Sequence, residues 1–102
     1  MLVIRPNCEC CDKDLPPNSA DARICSYECT FCVICVEFIL DNVCPNCGGG
    51  FVNRPIRPTI AHRPGVSLGN NPASIERVHT VYTREDIAAF VGKLRAVLPE
   101  LR

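Results

Sequence analysis

The hydrophobic positions in the first fifty residues form short runs separated by turn residues. Residues 33–40, VICVEFIL, are almost continuously apolar, and so short a run fits a buried helix and a buried strand equally well. Residues 24–31 are a candidate arm of a hairpin. The preceding stretch, residues 12–23, contains Pro16-Pro17-Asn18-Ser19, whose side chains are typical of turns, and predicts a loop.

The last stretch of the chain has a clear helical period. Thr83 is a good N-cap, Asp86 stands three residues later in the acceptor position of a capping box, and Pro99 should end the regular helix. The pattern therefore predicts a helix over about residues 84–98. A helix of about 15 residues is marginal in water alone, so its apolar stripe needs a partner surface. The stripe follows spacings of three and four residues and comprises Ile87, Phe90, Val91, Leu94, Val97 and Leu98.

Proline and arginine dominate the stretch between these two regions. Residues 51–74 contain four prolines, and the dipeptide Arg-Pro occurs three times there. Because proline fixes φ and restricts the residue before it, we expect this segment to be extended and stiff. The chain thus divides into a cysteine-rich domain over residues 1–50, a Pro/Arg-rich linker over 51–74 and a C-terminal segment over 75–102.

Charge follows the same division. Residues 1–50 hold three Arg/Lys against seven Asp/Glu, a net of −4, and residues 51–102 hold eight against four, a net of +4. Either the basic tail docks on the acidic head, or each half meets a different partner. Apolar runs are too short for a membrane span or a secretory signal, so we expect a cytoplasmic protein, in which stable disulfides are rare.

All nine cysteines lie between residues 8 and 47. Eight of them form four closely spaced pairs, and Cys10 is left over. A two- or three-residue spacer lets both sulfurs of a pair reach one ion at about 2.3 Å, and structural zinc takes four such ligands. The spacing predicts two Zn²⁺ ions, with iron as the alternative metal. The predicted ligands are Cys8, Cys11, Cys25, Cys29, Cys32, Cys35, Cys44 and Cys47.

Two ways of sharing the pairs between the ions remain open. In a sequential arrangement the first two pairs share one ion and the last two share the other. In a cross-brace the pair 8/11 joins 32/35, and 25/29 joins 44/47. Only two residues separate Cys29 from Cys32, which favours the cross-brace. Either way each ion has four sulfurs and no open position, so we expect structural metal and no catalytic residue. His62 and His79 are interpreted as ordinary surface histidines.

The order C-x2-C, long loop, C-x3-C-x2-C-x2-C, short segment, C-P-x-C resembles the RING finger. That likeness implies a small, metal-dominated α+β fold, a RING-like cross-brace treble clef. Residues 5–58 also resemble a family of small bacterial cysteine-rich proteins of unknown function. Ubiquitin ligases of the RING class usually carry an aliphatic residue, a tryptophan and a basic residue at three places where this chain has Cys10, an aliphatic stretch and Gly48-Gly49. Only Pro45 agrees, which disfavours ligase activity, because fold does not fix function.

About fifty residues are at the lower limit for folding on a core alone, so we expect the cysteine-rich half to be unfolded without metal. The preferred function is a non-enzymatic zinc-binding module for protein interaction, using residues 36–40, the groove near Pro45 and the tail helix. A homodimer through that helix is an alternative form of the partner. Nucleic-acid binding through the arginines at 54, 57 and 63 and through the basic tail is a second hypothesis, which the acidic head disfavours. Ligase-like activity, or thiol redox chemistry at Cys10, is a third.

Overall fold

The computed structural model describes residues 1–102 and has α+β architecture, as the sequence predicts, with a small antiparallel sheet and two helices. The strands are β1 (Ala22–Ile24), β2 (Thr30–Cys32) and β3 (Val52–Asn53), in the order β2-β1-β3. Arg23 lies opposite Phe31 on one side and opposite Asn53 on the other. The predicted hairpin arm, residues 24–31, is not one strand: residues 25–29 form the turn of the hairpin, and the ends of β1 and β2 lie on either side of it.

The apolar run that fits both helix and strand is helical. Helix α1 (Val33–Cys35) continues into a π-helical turn, Val36–Leu40. Cys32 caps the start of α1, because its sulfur accepts a hydrogen bond from the Cys35 N–H. The segment ends at Asp41, whose backbone is left-handed with φ 47°. Leu40 is fully buried, whereas Phe38 points outward with 76% of its surface exposed.

Helix α2 (Arg84–Leu94) begins where the capping pattern places it. Both capping-box hydrogen bonds between Thr83 and Asp86 are present. The helix ends at Leu94, four residues before the predicted end, and Leu98 is extended at ψ 141°. Pro99 explains the extended residue, since proline excludes helical geometry from the residue before it. A 3₁₀ turn follows at Pro99–Leu101.

The α2 stripe packs on the cysteine-rich half of the same chain. Ile87 and Val91 are buried, and α2 lies against the π-helical turn Val36–Leu40. They join a core of 13 buried residues that also includes Leu15, Phe31 and Leu40. Phe51 and Phe31 meet edge to face at 5.4 Å between ring centroids. Neither helix is both long enough and apolar enough to cross a lipid bilayer.

The first residues of the Pro/Arg-rich segment are built into the cysteine-rich half. β3 pairs with β1, and the next residue, Arg54, is buried with 3% of its surface exposed. Its guanidinium donates hydrogen bonds to the carbonyl oxygens of Arg5, Leu15 and Pro16 at 2.8, 3.1 and 2.9 Å. This arginine therefore joins three parts of the chain that are distant in sequence.

Residues 74–80 run along the first cysteine pair. Backbone N–H groups of Ser74 and Thr80 donate to the carbonyl oxygens of Ile4 and Glu9 at 3.0 and 2.9 Å. Arg77 donates to the Asp12 carboxylate at 2.7 Å. The basic tail thus docks on the acidic head, which is one of the two arrangements that the charge pattern left open.

Candidate metal centres

Four cysteine sulfurs from two distant segments converge in the first centre. The Sγ atoms of Cys8, Cys11, Cys32 and Cys35 all lie within 4.8 Å of one another. The sulfurs of Cys11 and Cys32 are 3.7 Å apart. Three of these residues are buried and Cys11 is exposed. One pair comes from the loop after residue 7 and the other from β2 and α1, so a shared ion would fasten these segments together.

Backbone geometry in both pairs directs N–H groups at sulfur. The Cys11 N–H donates to the Cys8 sulfur at 3.5 Å, and the Cys35 N–H donates to the Cys32 sulfur at 3.5 Å. The tight loop after Cys8 requires a left-handed residue, and Asp12 supplies it with φ 66°. An N–H directed at a thiol favours its ionised form, which is the form that binds metal.

Burial opposes ionisation of the same thiols in the absence of a cation. Desolvation raises the pKa of Cys8 to about 11 and raises the pKa of Cys35 well above its ordinary value. Cys11 is also affected by burial, but hydrogen bonds from the Lys13 backbone and from neighbouring sulfurs leave its pKa lowered. A divalent cation reverses the cost of ionising these thiols, because metal binding displaces their protons. Four convergent sulfurs are a donor set that fits zinc.

The second centre brings together the sulfurs of three cysteines. The Sγ atoms of Cys25, Cys44 and Cys47 lie within 4.8 Å of one another. The Cys25 sulfur accepts the Tyr27 N–H at 3.3 Å, and the Cys47 sulfur accepts the Gly49 N–H at 3.4 Å. Burial raises the pKa of Cys44 above its ordinary value, so this centre has the same need for a cation.

Cys29 stands apart from this group. It faces Cys25 across the end of the hairpin, where the Cys25 N–H donates to the Cys29 carbonyl oxygen at 3.2 Å, yet its sulfur is outside the three-sulfur cluster. Burial is the main cause that raises its pKa, and the Asn46 side chain acts in the opposite direction. Seven of the eight predicted ligands are therefore drawn together, in groups of four and three.

The cysteines of the two centres alternate along the chain. Pair 8/11 lies with 32/35, and Cys25 lies with 44/47. Cys10 is half-buried and packs against the core, outside both groups. His62 and His79 are exposed and also lie outside them, and the Nε2 atom of His79 is 3.7 Å from an Asp12 oxygen.

Glu9 and Asn46 connect the two centres, and the sequence reasoning missed both. Glu9 lies inside the first cysteine pair and is buried with 6% of its surface exposed. Its carboxylate accepts the Thr30 N–H at 2.7 Å and the Asn46 side-chain amide at 3.1 Å. Asn46 lies inside the fourth pair. Burial raises the pKa of Glu9. The signal was available, since an acidic residue between two cysteines is unusual where thiolates already repel one another.

Comparison with known proteins identifies a family for this chain, but that family has no known activity. Residues 1–57 match a sequence family described as "Protein of unknown function (DUF1272)". An uncharacterised protein of Rhizobium meliloti (strain 1021) is 56% identical over 78 residues, which cover 76% of this chain and 86% of that protein. No solved structure matches this chain. The matched family region contains all nine cysteines and the whole sheet.

Proposed function

The chain belongs to the DUF1272 family of proteins of unknown function, and we propose that it is a structural zinc-binding protein that presents a surface to a protein partner. Family membership confirms the resemblance of residues 5–58 to small cysteine-rich proteins of unknown function. One observation carries the proposal: four sulfurs from separate segments converge within 4.8 Å, with a second group of three beside them. The group of four has the donors for a closed structural metal centre, in which every tetrahedral position is filled by sulfur.

Zinc is the proposed metal in both centres, with Cys29 as the eighth ligand. The interleaved grouping of the pairs supports a RING-like cross-brace of treble-clef type. Each ion would then fasten two segments, and the Glu9–Asn46 hydrogen bond would join the centres. A core of 13 residues that includes five of the cysteines is small, so metal binding supplies much of the folding free energy.

An apolar groove beside α1 is the proposed contact surface. It has a volume of about 470 Å³ and lies between the helical segment 33–40 and β3. Phe38 and Val52 line it with 76% and 66% of their surfaces exposed, and Glu37 and Asp41 lie beside them. Exposed apolar side chains edged by charge are typical of protein interfaces. Arg23 also lines the groove, so its edge carries two carboxylates and one guanidinium, and this balance favours a partner segment that offers an apolar side chain next to a basic one.

Arginine contacts within the chain also favour a protein partner over nucleic acid. Arg54 is buried against backbone carbonyl groups, and Arg57 donates to the carbonyl oxygens of Leu2 and Asn71 at 2.7 and 2.6 Å. Of these three linker arginines, only Arg63 has a guanidinium that makes no hydrogen bond. That leaves one free cation in the linker, and Arg77 and Arg102 of the basic tail also bind groups of the same chain, which reduces the footprint for phosphate-backbone binding.

Capture of partners with groove variants tests this proposal. Tagged zinc-loaded protein is incubated with lysate of its source organism, and captured proteins are compared between wild type, Phe38→Asp and Ile75→Asp. Ile75 is 95% exposed and lies outside the groove, so it controls for a new surface charge. We expect a partner that Phe38→Asp loses at least about tenfold and Ile75→Asp retains. Equal recovery with both variants would contradict the groove assignment.

A further inference from the structure

The two metal centres differ in how completely their ligands are assembled. In the first centre all four sulfurs are mutually within 4.8 Å, and in the second only those of Cys25, Cys44 and Cys47 are. Cys29 belongs to the pair with a three-residue spacer, whereas the other three pairs have two. The longer spacer places Cys29 opposite Cys25 at the mouth of a hairpin instead of inside a tight cysteine loop.

Hydrogen bonds fix the backbone around Cys29, whereas its sulfur interacts with the side chains of Asn46 and Cys25 and not with the backbone. Its carbonyl oxygen accepts the Cys25 N–H, and the next residue, Thr30, donates to Glu9 at 2.7 Å. Its sulfur accepts no backbone N–H, whereas that of Cys25 accepts one from Tyr27. Rotation of the side chain alone therefore moves this sulfur between the ion and its surroundings.

Those surroundings are an open cavity with negative charge. Cys29 lines a cavity of about 180 Å³ together with Arg5, Glu9, Tyr27 and Glu28. Two carboxylates and the guanidinium of Arg5 share the space with the thiol, so the charged groups around it carry a formal net charge of −1. A fourth thiolate adds negative charge to a zinc–sulfur centre that is already negative, and nearby carboxylates increase that cost. The cavity also gives a small competing ligand a path to the position that Cys29 occupies.

We propose that the second centre is an exchangeable zinc site, in which Cys25, Cys44 and Cys47 hold the ion and Cys29 is the ligand that dissociates. The first centre is closed and retains its ion. This inference rests on the proposed zinc function and adds that the two ions have different roles. The first ion maintains the fold, and the second passes to a competing ligand that enters through the cavity.

The kinetics of zinc release from the full-length chain test this difference between the two centres. The protein is saturated with zinc, and a colorimetric chelator is added in excess. We expect two phases of one equivalent each, with rates that differ at least about tenfold. Cys29→Ser should still bind the second equivalent at saturating zinc but release it faster. Cys25→Ser, in the same pair, should not bind it. Equal behaviour of these two variants overturns the assignment of Cys29.

A second measurement needs no variant. Zinc-loaded wild-type protein is treated briefly with N-ethylmaleimide, and the modified cysteines are identified by peptide mass spectrometry. Cys29 should be modified at least about tenfold faster than the other seven paired cysteines, and Cys10 is counted separately because it lies outside both centres. Uniform modification of the paired cysteines, or release of both ions in one phase, overturns the exchangeable site and leaves the proposed function standing. Binding of fewer than two equivalents at saturating zinc overturns the proposed function itself.

Discussion

The side chain of Asn7 pairs with the backbone of Val78 as a neighbouring strand would. Its amide donates to the Val78 carbonyl oxygen at 2.8 Å, and its oxygen accepts the Val78 N–H at 3.1 Å. Asn7 is fully buried and immediately precedes Cys8. One side chain therefore couples the tail to the loop of the first metal centre.

Asn7→Ala should weaken both the docking of the tail and the fold. The substitution removes the amide and leaves the N–H and carbonyl of Val78 without these partners, at a cost of about 2–3 kcal/mol in the free energy of unfolding. Denaturant unfolding of the zinc-loaded protein at a fixed free zinc concentration measures it. Asn18→Ala is the control, since Asn18 is exposed and its side chain makes no hydrogen bond. Equal midpoints for the two variants would contradict the structural role of Asn7.

Arg54→Met should destabilise the cysteine-rich half although it lies outside residues 1–50. The variant keeps an unbranched side chain but leaves three carbonyl groups without their donors, at a cost of about 3 kcal/mol. Arg63→Met is the matched control because Arg63 is exposed and its side chain makes no hydrogen bond. Differential scanning calorimetry of the zinc-loaded proteins should show a lower Tm for the first variant only. A lower Tm for both would mean that loss of positive charge, and not these contacts, matters.

Two glycines near α2 should respond in opposite directions to alanine. Gly48 has φ +82°, and an added Cβ would lie 3.1 Å from a Leu94 methyl carbon. We expect Gly48→Ala to lower the free energy of unfolding by about 2 kcal/mol. Gly92 lies within α2 with open space around it, so Gly92→Ala should raise that free energy by about 1 kcal/mol. Urea unfolding compares both variants with wild type. Stabilisation by both substitutions would show that α2 does not pack closely on Gly48.

Short sequence patterns correctly predicted those features that are determined by residues close together in the chain. The paired cysteines and the start of α2 are of this kind, because a short spacer or a capping box acts within a few residues. The grouping of Cys8 with Cys32 follows from how the segments cross, and the spacing favoured it without deciding it. The contacts of Arg54 and Asn7 join residues 38 to 71 positions apart, and no local pattern specifies such partners.

Composition was a weaker guide than local pattern. Residues 52–54 read as linker because prolines follow them, yet β3 pairs with β1 and Arg54 is buried there. The short run at 33–40 left helix and strand open, and packing of Leu40 into the core favours the helix. The position of the Cys29 sulfur depends on the rotation of its side chain within the hairpin. The spacing of cysteines in the sequence contains no information about that rotation.

Zinc count and folded structure, measured together, test the central claim most directly. Native mass spectrometry of the full chain at saturating zinc should find two ions, and near-ultraviolet circular dichroism should show ordered tyrosine and phenylalanine side chains. Removal of both ions with a strong chelator should abolish that spectrum, and re-addition of zinc should restore it, because metal binding and folding are coupled. A chain that binds fewer than two ions, or that keeps its spectrum after both are removed, would contradict the account.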